Sequence, residues 1–359
     1  LFVLLESLRT IREAQTMRMG YSTVRRSYRS SGALAAAVLT RSWDRARRLQ
    51  EKGMTAGSPV LIRIFKGESE LELWLKKGER FELFATYPVC YWSGRLGPKQ
   101  REGDRQAPEG FYTITPELMN PNSNFHLSIN FGFPNSFDKA NKRNGSFLMI
   151  HGDCLSAGCY AMTDEQISEI YALARDALSG RPSFQVQAYP FRLTPANLAR
   201  HRNSPNLPFW NMLKVGNDHF ETTRLEPKVD VCDRRYVFDA QPPPSSRHPL
   251  AFSANEKCPP FVVNPEIARA ARQKQHADER AYAQLVEDNV PAAPIYSGLD
   301  GGMNKAFHAR FPGRVTLAKV MPYASYLPTL PPVPWMKMRP GLPLLPACRY
   351  RVRTPPAST

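Results

Sequence analysis

Val60-Leu61-Ile62-Arg63-Ile64-Phe65, followed by Leu71-Glu72-Leu73-Trp74-Leu75-Lys76, is the stretch on which the fold turns. In the first run Val60, Ile62 and Ile64 alternate with Leu61, Arg63 and Phe65; in the second Leu71, Leu73 and Leu75 alternate with Glu72, Trp74 and Lys76. A period of two puts one set of side chains on each face of an extended chain, which predicts two strands. Lys66-Gly67-Glu68-Ser69 is hairpin-sized, and Lys77-Gly78-Glu79 leads to a third strand from Phe81 to Val89. The domain therefore starts antiparallel.

Downstream, Ser93-Gly94-Arg95-Leu96-Gly97-Pro98 and Gly103-Asp104 punctuate loops. Leu127, Ile129 and Phe131 alternate with His126, Ser128 and Asn130 as a strand, which places His126 on its polar side. Phe147 to Ile150 suits a short buried strand ending at His151. The main helix is Asp164 to Leu178, with Thr163 as N-cap, Gln166 completing a capping box, and an apolar face of Ile167, Ile170, Tyr171, Ala174 and Leu178. The expected fold is mostly β with one main helix, over residues 57–240. Past Phe238, Gln241-Pro242-Pro243-Pro244 opens a proline-rich, basic region, 241–359, expected to be largely disordered apart from a helix near 265–288.

Upstream, residues 43–52 read as a short basic helix broken by Gly53 and Gly57. Arg25, Arg26 and Arg29 precede the apolar run Ala33 to Leu39, so residues 1–56 read as a basic segment and a remnant of an export signal, without a convincing cleavage site. No apolar run approaches the ~18 residues of a membrane helix. Of the net charge of +16, the flanks 1–52 and 241–359 carry +7 and +8. The near-neutral middle argues against a nucleic-acid partner, whose core would itself be basic. Six cysteines, at 90, 154, 159, 232, 258 and 348, are too sparse for a disulfide-stapled miniprotein.

Chemistry concentrates in Ile150-His151-Gly152-Asp153-Cys154-Leu155-Ser156-Ala157-Gly158-Cys159-Tyr160-Ala161-Met162. A thiol becomes a nucleophile when an imidazole or a helix N-terminus favours its thiolate. His151 stands at a strand end, Cys159 shortly before a capped helix, and Gly158 would let backbone amides approach a reacting carbonyl as an oxyanion hole. Gly152 and Ser156 join Gly158 as supporting candidates, with Ser156 holding the loop rather than reacting. Cys154 could compete as nucleophile or pair with Cys159, though a packed thiol fits its position better; Cys90, Cys232, Cys258 and Cys348 read as packed or free thiols. His151, Cys154 and Cys159 read as zinc ligands would lack a fourth partner at a familiar spacing.

The segment resembles the active-site motif of the YkuD-type L,D-transpeptidase domain, an HG histidine ahead of an SxGC cysteine, and resembles its YafK-like branch in particular. Ala107-Pro108-Glu109-Gly110-Phe111-Tyr112 is similar to the family's TPxGxF element, and Gly97-Pro98-Lys99-Gln100 and Gly132-Phe133-Pro134-Asn135 to the YafK-like pattern. The similarity covers about residues 57 to 238. Two departures from the wider family, Ala161 where many members carry arginine and only seven residues between histidine and cysteine, are shared with that branch. The resemblance implies an L,D-transpeptidase-like β fold, Cys159 as nucleophile and His151 as base, no cofactor, and a periplasmic or cell-envelope location. The implied partner is a peptidoglycan stem peptide, attacked at the amide of the L-centre of meso-diaminopimelate. The acyl-enzyme would pass to an amine, or to water; in the second case the protein is an amidase releasing a peptide or a peptidoglycan-linked lipoprotein. From another class, a non-catalytic envelope-binding module would keep the fold with an unreactive Cys159.

Overall fold

The run that opens the domain becomes β1 (Val60–Phe65), and all six of its residues are buried. A computed structural model describes residues 44–294 and 301–310 of the chain; residues 1–43 of the expected basic segment 1–56 and the remainder of the tail lie outside the described residues. β1 pairs antiparallel with β2 (Glu70–Lys77), which pairs antiparallel with β3 (Arg80–Pro88), as the two short connections require. β4 (Tyr91–Trp92), β5 (Gly110–Ile114), β6 (Met119–Asn120), β7 (Ser128–Asn130), β8 (Met149–His151), β9 (Tyr160–Ala161) and β10 (Phe184–Tyr189) complete two five-stranded sheets. Their orders are β3-β2-β1-β10-β5 and β4-β9-β8-β7-β6. Each sheet holds one parallel pair, β1 with β10 and β8 with β9.

The helix expected at Asp164–Leu178 forms with those bounds, and Thr163 and Gln166 make the reciprocal capping box. It follows α1 (Ser136–Ala140) and is numbered α2. Its face of Ile167, Ile170 and Ala174 shares one apolar core with Ile62 and Ile64 of β1 and with Ile129, Ile150 and Tyr160 of the second sheet. That shared core is what fixes β8 and β9 against the rest of the domain.

The domain is mostly β, but with several helices rather than one. After α3 (Pro195–Arg200), α4 (Leu207–Thr223) covers the other face of the first sheet, where Phe220 packs with Leu61, Trp74 and Phe81. Its periodicity is masked in the sequence because its buried face includes Gly216, Asn217, Asp218 and His219. A Cβ at Gly216 would overlap the rings of Phe238 and Phe111, so only glycine fits. With both faces covered, Arg63 is buried too. It is held by Glu221 Oε1 at 2.7 Å and Asn217 Oδ1 at 2.6 Å.

Residue 240 is not a boundary. β11 (Val229–Cys232) and β12 (Arg235–Phe238) form a hairpin, and Cys232 is disulfide-bonded to Cys258. β13 (Ala240–Gln241) pairs with β14 (Val262–Val263), and α5 (Pro265–Glu287), the helix expected near 265–288, lies against α3 and α4. Asp278 of α5 accepts from Lys214 at 2.6 Å, and Arg202 donates to Val290 O at 2.7 Å. Residues 241–294 thus belong to the packed domain, and the expectation of disorder fails for them. The reason is that ion pairs and a cross-link, rather than a large apolar face, hold them; apolar patterning does not register either.

Candidate active site

His151 ends β8, and Ile150 and His151 lie opposite Tyr160 and Ala161 of β9 in parallel register. Continuing that register by one residue sets Cys159 opposite Met149, and these two side chains pack together. Side chains two apart on a strand share a face, so His151 and Met149, against which Cys159 packs, point to the same side of β8. The parallel pair thus runs the segment that carries Cys159 alongside the strand that ends in His151.

The His151 ring is fully buried, and its Nδ1 lies 2.7 Å from Gly152 O. A carbonyl only accepts, so Nδ1 carries the proton and Nε2 presents its lone pair. Nε2 has no hydrogen-bond partner among the described residues. Burial drives the imidazole pKa down from 6.5 to about 4, against the opposing effect of the Gly152 bond, so the ring is neutral at neutral pH. Phe125 lies against it, ring centroids 4.7 Å apart.

Ser156 braces the cysteine. Its Oγ accepts from Cys159 N at 2.9 Å and Gly158 N at 3.3 Å, and donates to Cys159 O at 2.6 Å. Cys159 Sγ lies 3.6 Å from Phe147 O. Gly158 adopts φ +134°, a conformation that side chains rarely take. At Gly152 the constraint is space, since a Cβ would stand 2.5 Å from Asp164 Oδ1 and 2.9 Å from Phe125 O. Asp164 meanwhile accepts from Asp153 N at 2.8 Å, tying the loop to the start of α2. The backbone amides of Gly152 and Gly158 are engaged within the loop. The Gly152 amide is used by Phe125 O at 3.0 Å and the Gly158 amide by Ser156, so all three supporting candidates shape the loop.

The cysteines depart from expectation. Cys154 is bonded to Cys90, not free or paired with Cys159, which also withdraws it from any zinc set. Cys232 and Cys258 are likewise a disulfide rather than packed thiols. Cys159 itself is fully buried, and like the other four cysteines among the described residues it is disulfide-bonded. Nucleophilic chemistry at Cys159 therefore requires its reduction first. Cys348 lies outside the described residues. His126, expected on the polar side of its strand, is half-buried with Nε2 2.8 Å from Ser168 Oγ.

Around this centre the remaining motifs act as scaffolding. Glu109 and Lys66, both fully buried, form an ion pair at 3.0 Å. Glu109 also accepts from Gly97 N at 2.7 Å and Trp210 Nε1 at 2.9 Å, while Lys66 donates to Gly97 O at 2.9 Å. Burial lowers the Lys66 pKa, and Glu109 opposes that shift. A Cβ on Gly110 would stand 2.7 Å from Tyr236 Oη, which accepts from Asn135 Nδ2 at 2.9 Å. No sequence motif marks Ser93, yet its Oγ donates to Arg105 O at 2.8 Å and lies 3.4 Å from Ser156 Oγ.

Residues 59–186 match the family described as YkuD, L,D-transpeptidase catalytic domain, and residues 1–56 match one described as CbiQ, cobalt transport protein. Over 187 residues the chain is 50% identical to YafK of Escherichia coli (strain K12), whose description as an L,D-transpeptidase is itself provisional. The match covers 52% of this chain and 76% of YafK. Two structures of the helical cell shape determining protein Pgp2 from Campylobacter jejuni are similar at 19% and 16% identity, with TM-scores of 0.32 and 0.31. They cover 41% and 53% of this chain, and the chain spans 55% and 80% of theirs.

Proposed function

As the chain belongs to the YkuD family of L,D-transpeptidases, we propose that it is a cysteine-dependent acyl transferase acting on peptidoglycan stem peptides in the cell envelope. What supports this reading is the β8–β9 register, which runs the Cys159 segment beside the strand ending in His151, together with the lack of a hydrogen-bond partner for His151 Nε2 among the described residues. In the reduced protein His151 Nε2 takes the Cys159 proton as Sγ attacks the amide carbonyl at the L-centre of meso-diaminopimelate. The C–N bond breaks, His151 returns the proton to the leaving amine, and a thioester remains. An amine acceptor then regenerates the thiol by forming a new amide. Water would instead release a carboxylate, and the protein would be an amidase; the same two residues serve both outcomes.

The test is mass spectrometry of stem peptides containing meso-diaminopimelate, incubated with the reduced protein and with Cys159→Ala. A product dependent on Cys159 and His151 supports the proposal, with an exchanged amide marking transfer and a mass gain of water marking hydrolysis. Absence of any reaction in the reduced, folded protein would leave the envelope-binding module as the reading.

A further inference from the structure

β4 is two residues long, and its outer side is closed by a segment 209 positions further along the chain. Trp92 N donates to Gly302 O at 2.9 Å and Gly302 N to Trp92 O at 2.9 Å, an antiparallel bridge. Gly301 N donates to Gly94 O at 2.7 Å, and Asn304 N to Val89 O at 3.1 Å. The Asn304 side chain adds bonds to Glu68 O at 3.3 Å and Ser69 O at 3.1 Å. Met303 and Phe307 pack on Cys90 with Cys154 beside them. The fit excludes other residues. Gly301 has φ +67°, and a Cβ there would overlap the Trp92 carbonyl; at Gly302 it would stand 2.7 Å from Trp92 Nε1. The segment thus pairs both the amide and the carbonyl of Trp92, which is fully buried beneath it.

We propose that Gly301–Phe307 is a positioning strap for the candidate site, a strand added to the edge of β4 that holds Ser93 against the serine bracing Cys159. The proposal rests on the reading of Cys159 given above. The path is short. Trp92 and Gly94, both bonded to the strap, flank Ser93; Ser93 touches Ser156; and Ser156 holds the amide and carbonyl of Cys159. On its other side β4 pairs with β9, Trp92 opposite Tyr160, the residue after the cysteine. The strap therefore bears on Cys159 by two routes, through β9 and through the serine pair. It is a positioning element and not a catalytic one.

The test uses the full chain carrying Gly301→Val, which the edge of β4 cannot accommodate. Faster hydrogen exchange at the Trp92 amide reports release of the strap. In the reduced protein, kcat should fall on the order of 10- to 100-fold with KM nearly unchanged. The pH midpoint of iodoacetamide labelling at Cys159, followed by peptide mass spectrometry, should move away from its wild-type value. A synthetic peptide of residues 301–310 added in trans should restore both readings, since it supplies the same strand. Asn304→Ala, which removes only side-chain bonds, should change them in the same direction by less, and covers the case in which the valine variant does not fold. Wild-type kcat and labelling midpoint in a variant whose Trp92 amide exchanges freely would overturn the strap, as would an amide that stays protected in Gly301→Val. Turnover by Cys159→Ala with the strap in place would sink the nucleophile assignment instead, so the two failures are distinct.

Discussion

Acid should destabilise this fold through His151, and replacing that one side chain should remove the effect. The buried ring has its pKa lowered from 6.5 to about 4, chiefly by desolvation, whereas in the unfolded chain it titrates near 6.5. Between those values the unfolded chain binds a proton that the folded chain refuses. Stability from this group is thus complete above about pH 6.5 and is lost as pH falls toward 4. At about 1.4 kcal/mol per pH unit, the loss between pH 7 and pH 4 amounts to about 3 kcal/mol. Asn is the comparison residue, because its side-chain amide can still donate to Gly152 O and it does not titrate. Urea unfolding at both pH values should show the wild-type protein losing about 3 kcal/mol more than His151→Asn. His201 is also lowered to about 4, by burial and by Arg200, but it is present in both proteins and cancels. Parallel pH dependences would refute the reasoning, and with it the claim that His151 rests as a neutral base.

Four further outcomes are expected. Cys159→Ala should abolish acyl transfer in the mass-spectrometric assay while leaving the unfolding transition cooperative. Ser156→Ala removes the group that holds both the amide and the carbonyl of Cys159, so kcat should fall about 10-fold or more with little change in KM, measured on reduced protein. Lys66→Met leaves Glu109 buried without its cation, and chemical denaturation should show a loss of about 3–5 kcal/mol. Truncation after residue 240 removes α5 and Cys258, so the remaining chain should unfold at a clearly lower midpoint than the full chain; an unchanged midpoint would restore the boundary there.

Local signals alone determined much of the first sheet and of the chemistry. The alternation around Val60 and Leu71, the short polar connections and the Thr163–Gln166 box each act within a few residues, so β1 to β3 and α2 were legible with bounds close to those observed. His151 and Cys159 were singled out for a different reason, the resemblance of their segment to the family's HG and SxGC motif, and their roles stand as a proposal. Contacts between distant segments decided the rest. A parallel pair set β9 beside β8; disulfides chose partners 64 and 26 residues apart; buried polar residues disguised α4; and ion pairs brought α5 onto the domain. The same holds for the strap at Gly301–Phe307, which consists of backbone hydrogen bonds to β4. Backbone groups are identical at every residue, so no side-chain pattern announces where a distant strand will dock, and only the folded arrangement of the edge it completes could reveal it.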